Sequence, residues 1–252
     1  MTNIIGTASI TLGITLAILW LISIVIKKVS FIDAFWGTGF VIVALATFPN
    51  EHGPLQLTVL ALTILWGLRL SIYLLKRYLS HGEDARYVKI LGKRQGMSRH
   101  VFSLWFVFGL QGFLILVIST PIMAAFNLPP VELGLMGYIG VCVWCVGAFF
   151  EWIGDYQLAR FKADPLNDGK VLDTGLWAWT RHPNYFGDMC IWWGIWLVSG
   201  QFWTIFAPII MTFLLMKWSG VPLLEKSLKA RRPDYADYIA RTSSFFPRPP
   251  AK

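Results

Sequence analysis

Five ionisable residues stand within or at the edge of long apolar stretches of this chain, and they are the residues best suited to chemistry. Asp33 falls in SFIDAFWG (30–37) and Arg69 in LWGLRLSIYLLKR (65–77). Glu151 and Asp155 fall in EWIGDYQLARFK (151–162), and Asp188 in TRHPNYFGD (180–188). Charge inside a bilayer is costly, and where it is kept it marks a site by default. Glu151 and Asp155 are spaced i, i+4 and share one helix face, where like charges repel. A ligand offering several donors relieves that repulsion, and so does interfacial water. Arg69 is able to stabilise a developing oxyanion without changing protonation. Asp33 donates a proton only in its neutral form. Tyr73, one turn beyond Arg69, is a neutral donor. Structural roles compete with these: Asp33 near an interface can cap a helix, and Arg69 can pair with a carboxylate between helices.

The elements that must position these residues follow from composition. The chain has 252 residues, 56% hydrophobic and 14% charged. Soluble domains run at about 25% charged, so a soluble globular reading and a disordered one are both excluded. The formal charge is +8. On so apolar a chain this points to a membrane surface rather than to nucleic acid.

A spanning helix needs about 20 apolar residues. Seven stretches qualify or nearly so: 4–26, 31–48, 55–75, 101–124, 131–153, 184–199 and 202–218. The first lacks the basic lead and small-residue cleavage site of a signal peptide. The sixth is short and begins at a polar motif. Of the 22 Lys and Arg, 21 lie at or after the ends of the first, third, fifth and seventh stretches. Only Arg69 lies in the interior of one. By the positive-inside rule the N-terminus is outside and the C-terminus cytoplasmic. The expected fold is therefore all-α, a polytopic membrane protein with seven transmembrane helices. Short connections fall outside, and long polar ones (76–100, 154–183, 219–252) fall inside. A charged ligand is expected on the cytoplasmic face. Residues 222–242 suit a surface helix. No inverted repeat of the transporter kind is visible.

Other motifs carry less. Cys142 and Cys145 form CxxC within an apolar stretch, where they act as small hydrophobes. Four scattered histidines have no metal-binding spacing, so no metal is expected. There is no GxGxxG, Walker A or GxSxG sequence. Most of the thirteen tryptophans suit interfacial belts or packing.

The stretch VLDTGLWAWTRHPNYFGDMCIWWGIWL (171–197) resembles the C-terminal domain of the steroid 5-alpha-reductase family, most closely its bacterial branch. SFIDAFWG, WGLRLSIYLLKR, GEDARY (82–87), GDYQLARFK and SGVPLLEKSLKARRPDYADYIARTSSFFP (219–247) agree with that branch, so the resemblance covers nearly the whole chain. Sterol reductases and isoprenylcysteine carboxyl methyltransferases carry similar RHPNY segments. The motif alone leaves NADPH and S-adenosylmethionine both open.

The resemblance implies a single membrane domain in two parts. Residues 1–125 form most of the substrate pocket, and residues 126–252 bind the cofactor. It implies cofactor contacts from Glu151, Asp155, Lys162, Asn184 and Asp188, and from Arg181, His182 and Tyr185 of the RHPNY core. Glu225, Tyr235 and Tyr238 would close over the cofactor. Eukaryotic relatives have an asparagine where Glu151 stands. Phosphates need Lys or Arg, and Arg160, Lys162, Lys170, Arg181, Arg231 and Arg232 lie on the expected side. The resemblance places Asp33 one position from the family's substrate-polarising Glu, and Arg69 rather than Tyr73 opposite its Tyr, with Tyr73 still available as a donor.

The expected activity is NADPH-dependent reduction of an activated carbon–carbon double bond in a lipid-soluble substrate. Steroid, other isoprenoid and fatty-acyl enones all fit. Substrate enters from the bilayer of a bacterial inner membrane, with membrane lipids as surroundings. The alternatives are an S-adenosylmethionine-dependent methyltransferase and a non-catalytic lipid-binding protein.

Overall fold

The computed structural model describes residues 4–218, 221, 225, 232 and 234–250. Among these residues the fold is built from helices and contains no strand. It divides into two compact units. The first holds the residues up to Gly134 together with Ser199–Thr204. The second holds Leu135–Val198 and the residues from Ile205 onward.

In the first unit, α1 (Ile4–Ile26), α2 (Ile32–Thr47) and α3 (Pro54–His81) are followed by the short α4 (Ala85–Leu91). The fourth apolar stretch is not one helix. It runs as α5 (Gly96–Ser103), a π-helical turn (Leu104–Gly109) and α6 (Leu110–Ile118), then breaks at Ser119 before α7 (Thr120–Phe126). Pro121 cannot donate to the preceding turn, which explains the break. Gly37 and Gly67 hold α2 and α3 in backbone contact: a Cβ on Gly37 would lie 2.2 Å from the Gly67 carbonyl oxygen. Ser71 Oγ, one turn from Gly67, accepts from Thr38 N at 2.8 Å across the same seam.

Lys27 ends α1 with φ +57°, the left-handed region, as the only non-glycine residue there among the described ones. That conformation costs a side-chain-bearing residue about 1–2 kcal/mol, and glycine is the usual occupant just past a helix end.

In the second unit, α8 (Leu135–Ala163) runs ten residues past the expected end of its span, until Pro165 stops it. Glu151 and Asp155 therefore sit inside the helix rather than closing it. A short α9 (Leu176–Trp179) precedes α10 (Pro183–Ser199). The seventh stretch forms a 3-10 turn (Phe202–Thr204), which counts with the first unit, then α11 (Phe206–Phe213) and a π-helical turn (Leu214–Trp218). Of the expected helix over 222–242, most of the first half lies outside the described residues. Its second half contains α12 (Tyr235–Arg241).

Helices α8 and α10 run antiparallel with their backbones in contact. Gly140, Gly147 and Gly154 recur every seven residues on α8, and Gly187 and Gly194 do so on α10. A Cβ on Gly147 would lie 2.6 Å from the Gly187 carbonyl oxygen, and one on Gly140 2.7 Å from that of Gly194. Small residues permit such approach where lipid supplies no hydrophobic drive between helices.

Four helices are long and apolar enough to cross a membrane: Ile4–Ile26, Pro54–Ser80, Gly96–Ile118 and Leu135–Ala163. Shorter apolar helices cover Ile32–Thr47 and Phe202–Trp218. The chain is an integral membrane protein.

Candidate functional site

The densest buried polar cluster lies in the second unit, where α8 meets the head of α10. Pro183 opens α10, its fixed φ and missing N–H suiting the first helical position. The first helical hydrogen bond runs from Phe186 N to the His182 carbonyl at 3.0 Å. Asn184 and Asp188 are i, i+4 and share a face of α10. Glu151 and Asp155 share a face of α8. The glycine seam brings the faces together. A Cβ on Gly187, beside Asp188, would lie 2.4 Å from Glu151 N. Asn184 Nδ2 donates to Asp155 Oδ1 at 3.0 Å. Glu151 and Asp155 are each 2% exposed and Asp188 9%. Three acidic side chains thus lie buried on the facing sides of α8 and α10, one of them bonded to the Asn184 carboxamide. No group of three or more His, Cys, Asp or Glu converges as a metal site among the described residues.

The RHPNY core has a second task. Arg181 Nε donates to Glu225 Oε1 at 2.8 Å, and its Nη1 donates to the carbonyls of Thr242 at 2.6 Å and Ile239 at 3.2 Å. A cation on the last carbonyls of α12 suits the negative end of that helix. The backbone joins in: Arg181 N donates to Ser243 O at 2.9 Å and Arg248 N to Trp179 O at 2.9 Å. His182 Nε2 lies 3.3 Å from Glu225 Oε1, and its ring stacks on that of Tyr185. Burial pulls the His182 pKa below its ordinary value, so the ring is neutral and donates to Glu225. The His182 hydrogen bond, opposed by burial and reinforced by Arg181, brings Glu225 down to about 2.

Tyr235 and Tyr238 are both buried. Tyr238 Oη donates to the Trp177 carbonyl at 2.5 Å, and Trp177 Nε1 donates to the Gly154 carbonyl at 3.1 Å, so the tail is tied to α8. Burial pushes the Tyr235 phenol up to about 12 and raises that of Tyr238 as well. Lys162 and Arg160 are exposed in the last turn of α8, and Lys170 is exposed beyond it. Arg231 lies outside the described residues.

The first unit has its own polar cluster. Asp33, in the first turn of α2, accepts from Arg86 Nη2 at 2.8 Å and from the Tyr87 hydroxyl. Gln111 Nε2 donates to Tyr87 Oη at 3.1 Å. Burial, then the charge on Asp33, holds the Tyr87 phenol far above its ordinary value, so it remains a donor. The GEDARY loop is anchored by Glu83. Its Oε1 accepts from Val29 N at 3.0 Å and its Oε2 from Ser30 Oγ at 2.8 Å, ahead of α2.

Arg69 and Tyr73 come together, with the guanidinium 5.2 Å from the ring centroid. Arg69 is two residues from both Gly67 and Ser71, so it lies on the side of α3 turned away from the α2 seam. Asp33 is bonded to Arg86 and Tyr87, two residues that spacing did not single out. The signal available was the GEDARY motif itself, whose acidic, basic and phenolic residues crowd one loop.

The sequence pattern described as a protein of unknown function (DUF1295) matches residues 19–242. The chain belongs to this family. The match takes in both polar clusters, from Asp33 to the Arg181 contact at Thr242. A Schizosaccharomyces pombe relative, uncharacterized protein C594.04c, is 25% identical over 268 residues, which covers 92% of this chain and 76% of its own. No solved structure matches the chain.

Proposed function

We propose that this protein is a membrane-embedded, NADPH-dependent reductase of the steroid 5-alpha-reductase type, acting on an activated carbon–carbon double bond in a lipid-soluble substrate. The carrying observation is the buried Asn184–Asp155 pair beside Glu151 and Asp188. A carboxamide and a carboxylate together match the donors and acceptors of a nicotinamide amide. Exposed Arg160, Lys162 and Lys170 on the same unit suit the phosphates. These residues therefore fit the group. When bound, it supplies hydride to the β-carbon of an enone.

The chain's own residues do the rest. Asn184 and Asp155 orient the amide. The buried walls of α8 and α10 exclude water. Arg181, His182 and Glu225 hold the tail in place rather than touching the cofactor. Charge developing on the substrate oxygen needs a preorganised donor. In the first unit, Tyr87, held by Asp33 and Gln111, and the Arg69–Tyr73 pair are the groups able to supply one.

The finer topology is part of this reading. The four long spans, with α2, α10 and the 202–218 segment as shorter ones, make seven. The loop distribution of Lys and Arg puts the N-terminus outside and the C-terminus in the cytoplasm, in a bacterial inner membrane.

One observation favours a second reading. Three buried carboxylates suit a cationic ligand, and S-adenosylmethionine carries a sulfonium and an ammonium group. Thermal unfolding of purified protein with NADPH, NADH or S-adenosylmethionine separates the two, because a ligand that binds the native state stabilises it. NADPH should raise the midpoint and S-adenosylmethionine should not. Stabilisation by S-adenosylmethionine alone would sink the reductase reading. Loss of the reduced-nicotinamide absorbance across a panel of enones then tests turnover.

A further inference from the structure

We propose that the first unit carries a site for an anionic phospholipid, with an acyl chain in the groove between α1 and the π-helical turn and the phosphate at Lys27, Lys28 and Arg99. The groove, about 210 Å³, is lined by Gly13, Leu16 and Ala17 of α1 and by Leu104, Trp105, Phe108 and Gly109 of the π-helical turn. Its walls are apolar, which suits a hydrocarbon chain.

Two features made the groove. Gly13 leaves it open, since a Cβ there would meet nothing within 4 Å. The π-helical turn Leu104–Gly109 supplies the facing wall, and such turns recur at functional sites.

The headgroup end is set by charge. Lys27 and Lys28 are exposed and have no carboxylate partner among the described residues. Arg99 Nη2 donates to the Lys27 carbonyl at 3.2 Å, which draws a third cation to the same place. Lys27 keeps a long charged side chain in a left-handed conformation that glycine would adopt without strain. Strain of this kind persists where the surroundings hold it in place, and it clusters at functional positions.

The reach also agrees. Ala17 and Gly13 lie ten and fourteen residues before Lys27, about 15–21 Å along the helix at about 1.5 Å per residue. Half the hydrocarbon thickness of a bilayer is about 15 Å. A chain whose phosphate sits at Lys27 therefore ends in the groove. Each Lys or Arg near an anionic surface is worth about fivefold in affinity, so three cations favour an anionic over a zwitterionic headgroup. This assignment is independent of the reductase reading.

The test is native mass spectrometry of the full chain in detergent, titrated with dioleoyl phosphatidylglycerol or dioleoyl phosphatidylcholine. The first phosphatidylglycerol should bind at least tenfold more tightly than phosphatidylcholine. The triple substitution Lys27→Gln, Lys28→Gln and Arg99→Gln should abolish that preference. Gly13→Leu should weaken both lipids at least tenfold by filling the groove. Equal binding of the two lipids by the wild type would overturn the site, showing a neutral-lipid groove or bulk lipid only. So would phosphatidylglycerol binding that Gly13→Leu leaves unchanged. The triple variant changes two exposed lysines and the half-buried Arg99 and touches one hydrogen bond, that of Arg99 to the Lys27 carbonyl, while leaving the groove lining intact, so it decides the headgroup question even if Gly13→Leu fails to fold.

Discussion

Asp155 accepts a hydrogen bond from Asn184 at 3.0 Å, and this bond joins the C-terminal third of α8 to the first turn of α10. Asp155 is 2% exposed, so the bond works in a place that water barely reaches. A buried acceptor left without its donor costs about 1–3 kcal/mol. The pair is thus a fastening between helices and, in the reductase reading, the seat of the nicotinamide amide.

These two roles separate on substitution. Asn184→Ala removes the donor and the amide-recognising group together. It should raise the NADPH dissociation constant about tenfold or more, since about 1.4 kcal/mol is a factor of ten. It should also lower the thermal midpoint of the protein without ligand. Asn184→Asp keeps the size but sets a carboxylate against Asp155, and it should be worse on both counts. Fluorescence titration of NADPH beside thermal unfolding checks this. An Asn184→Ala variant with unchanged NADPH affinity would remove the amide seat from this position.

Arg181 should behave as a residue that holds the tail. Its guanidinium is engaged by Glu225 and by the carbonyls of Ile239 and Thr242. Breaking a buried pair leaves an uncompensated charge and costs about 3–5 kcal/mol. Arg181→Ala should therefore lower the unfolding midpoint strongly with no nucleotide present, and Glu225→Gln should lower it less. Circular dichroism in detergent reads both. If Arg181→Ala leaves stability intact and weakens only NADPH binding, the residue faces cofactor after all.

The pH dependence has a definite sign. His182 has an ordinary value of 6.5 and is held lower in the fold. The unfolded chain therefore binds the proton more readily, and stability falls as pH drops below 6.5. Glu225 is held at about 2 against 4.5, so its contribution is complete above 4.5 and fades as pH falls toward 2. The two losses follow one another. His182→Gln should flatten the first decline, between pH 6.5 and 5, and also weaken the second, because the His182 hydrogen bond is the largest cause of the low Glu225 value. Thermal midpoints measured from pH 8 to pH 2 check it. An identical slope in His182→Gln would mean that another group titrates there.

Much of this architecture is legible from residue types. The apolar stretches place every long helix, because a bilayer imposes both length and composition. The polar residues of 151–188 gather in the second unit because the i, i+4 pairs and the heptad glycines put them on facing helix sides. Three things escape a linear reading. The end of α8 depends on Pro165 rather than on where apolarity stops. The role of Arg181 depends on carbonyls some sixty residues away, which no spacing encodes. Asp33 meets Tyr87 rather than a span-three residue because Glu83 anchors the GEDARY loop ahead of α2.

The glycine seam should be the least forgiving part of the second unit. A Cβ on Gly187 would stand 2.4 Å from Glu151 N and 2.5 Å from the Gly147 carbonyl oxygen. Both are backbone atoms, so the clash cannot be relieved by turning a side chain. Overpacking typically costs about 1–3 kcal/mol where side chains can adjust, and here whole helices must part. Separation of α8 from α10 would also pull Asp155 from Asn184, so the carboxylate cluster and the helix contact fail together. Gly187→Ala should therefore lower both the yield of monodisperse protein and its unfolding midpoint. Gly13→Ala adds the same methyl group to a helix where nothing lies within 4 Å, and it should change neither. Size-exclusion profiles of the two variants decide the point. A stable, monodisperse Gly187→Ala protein would show that the α8–α10 seam is looser than its backbone contacts imply.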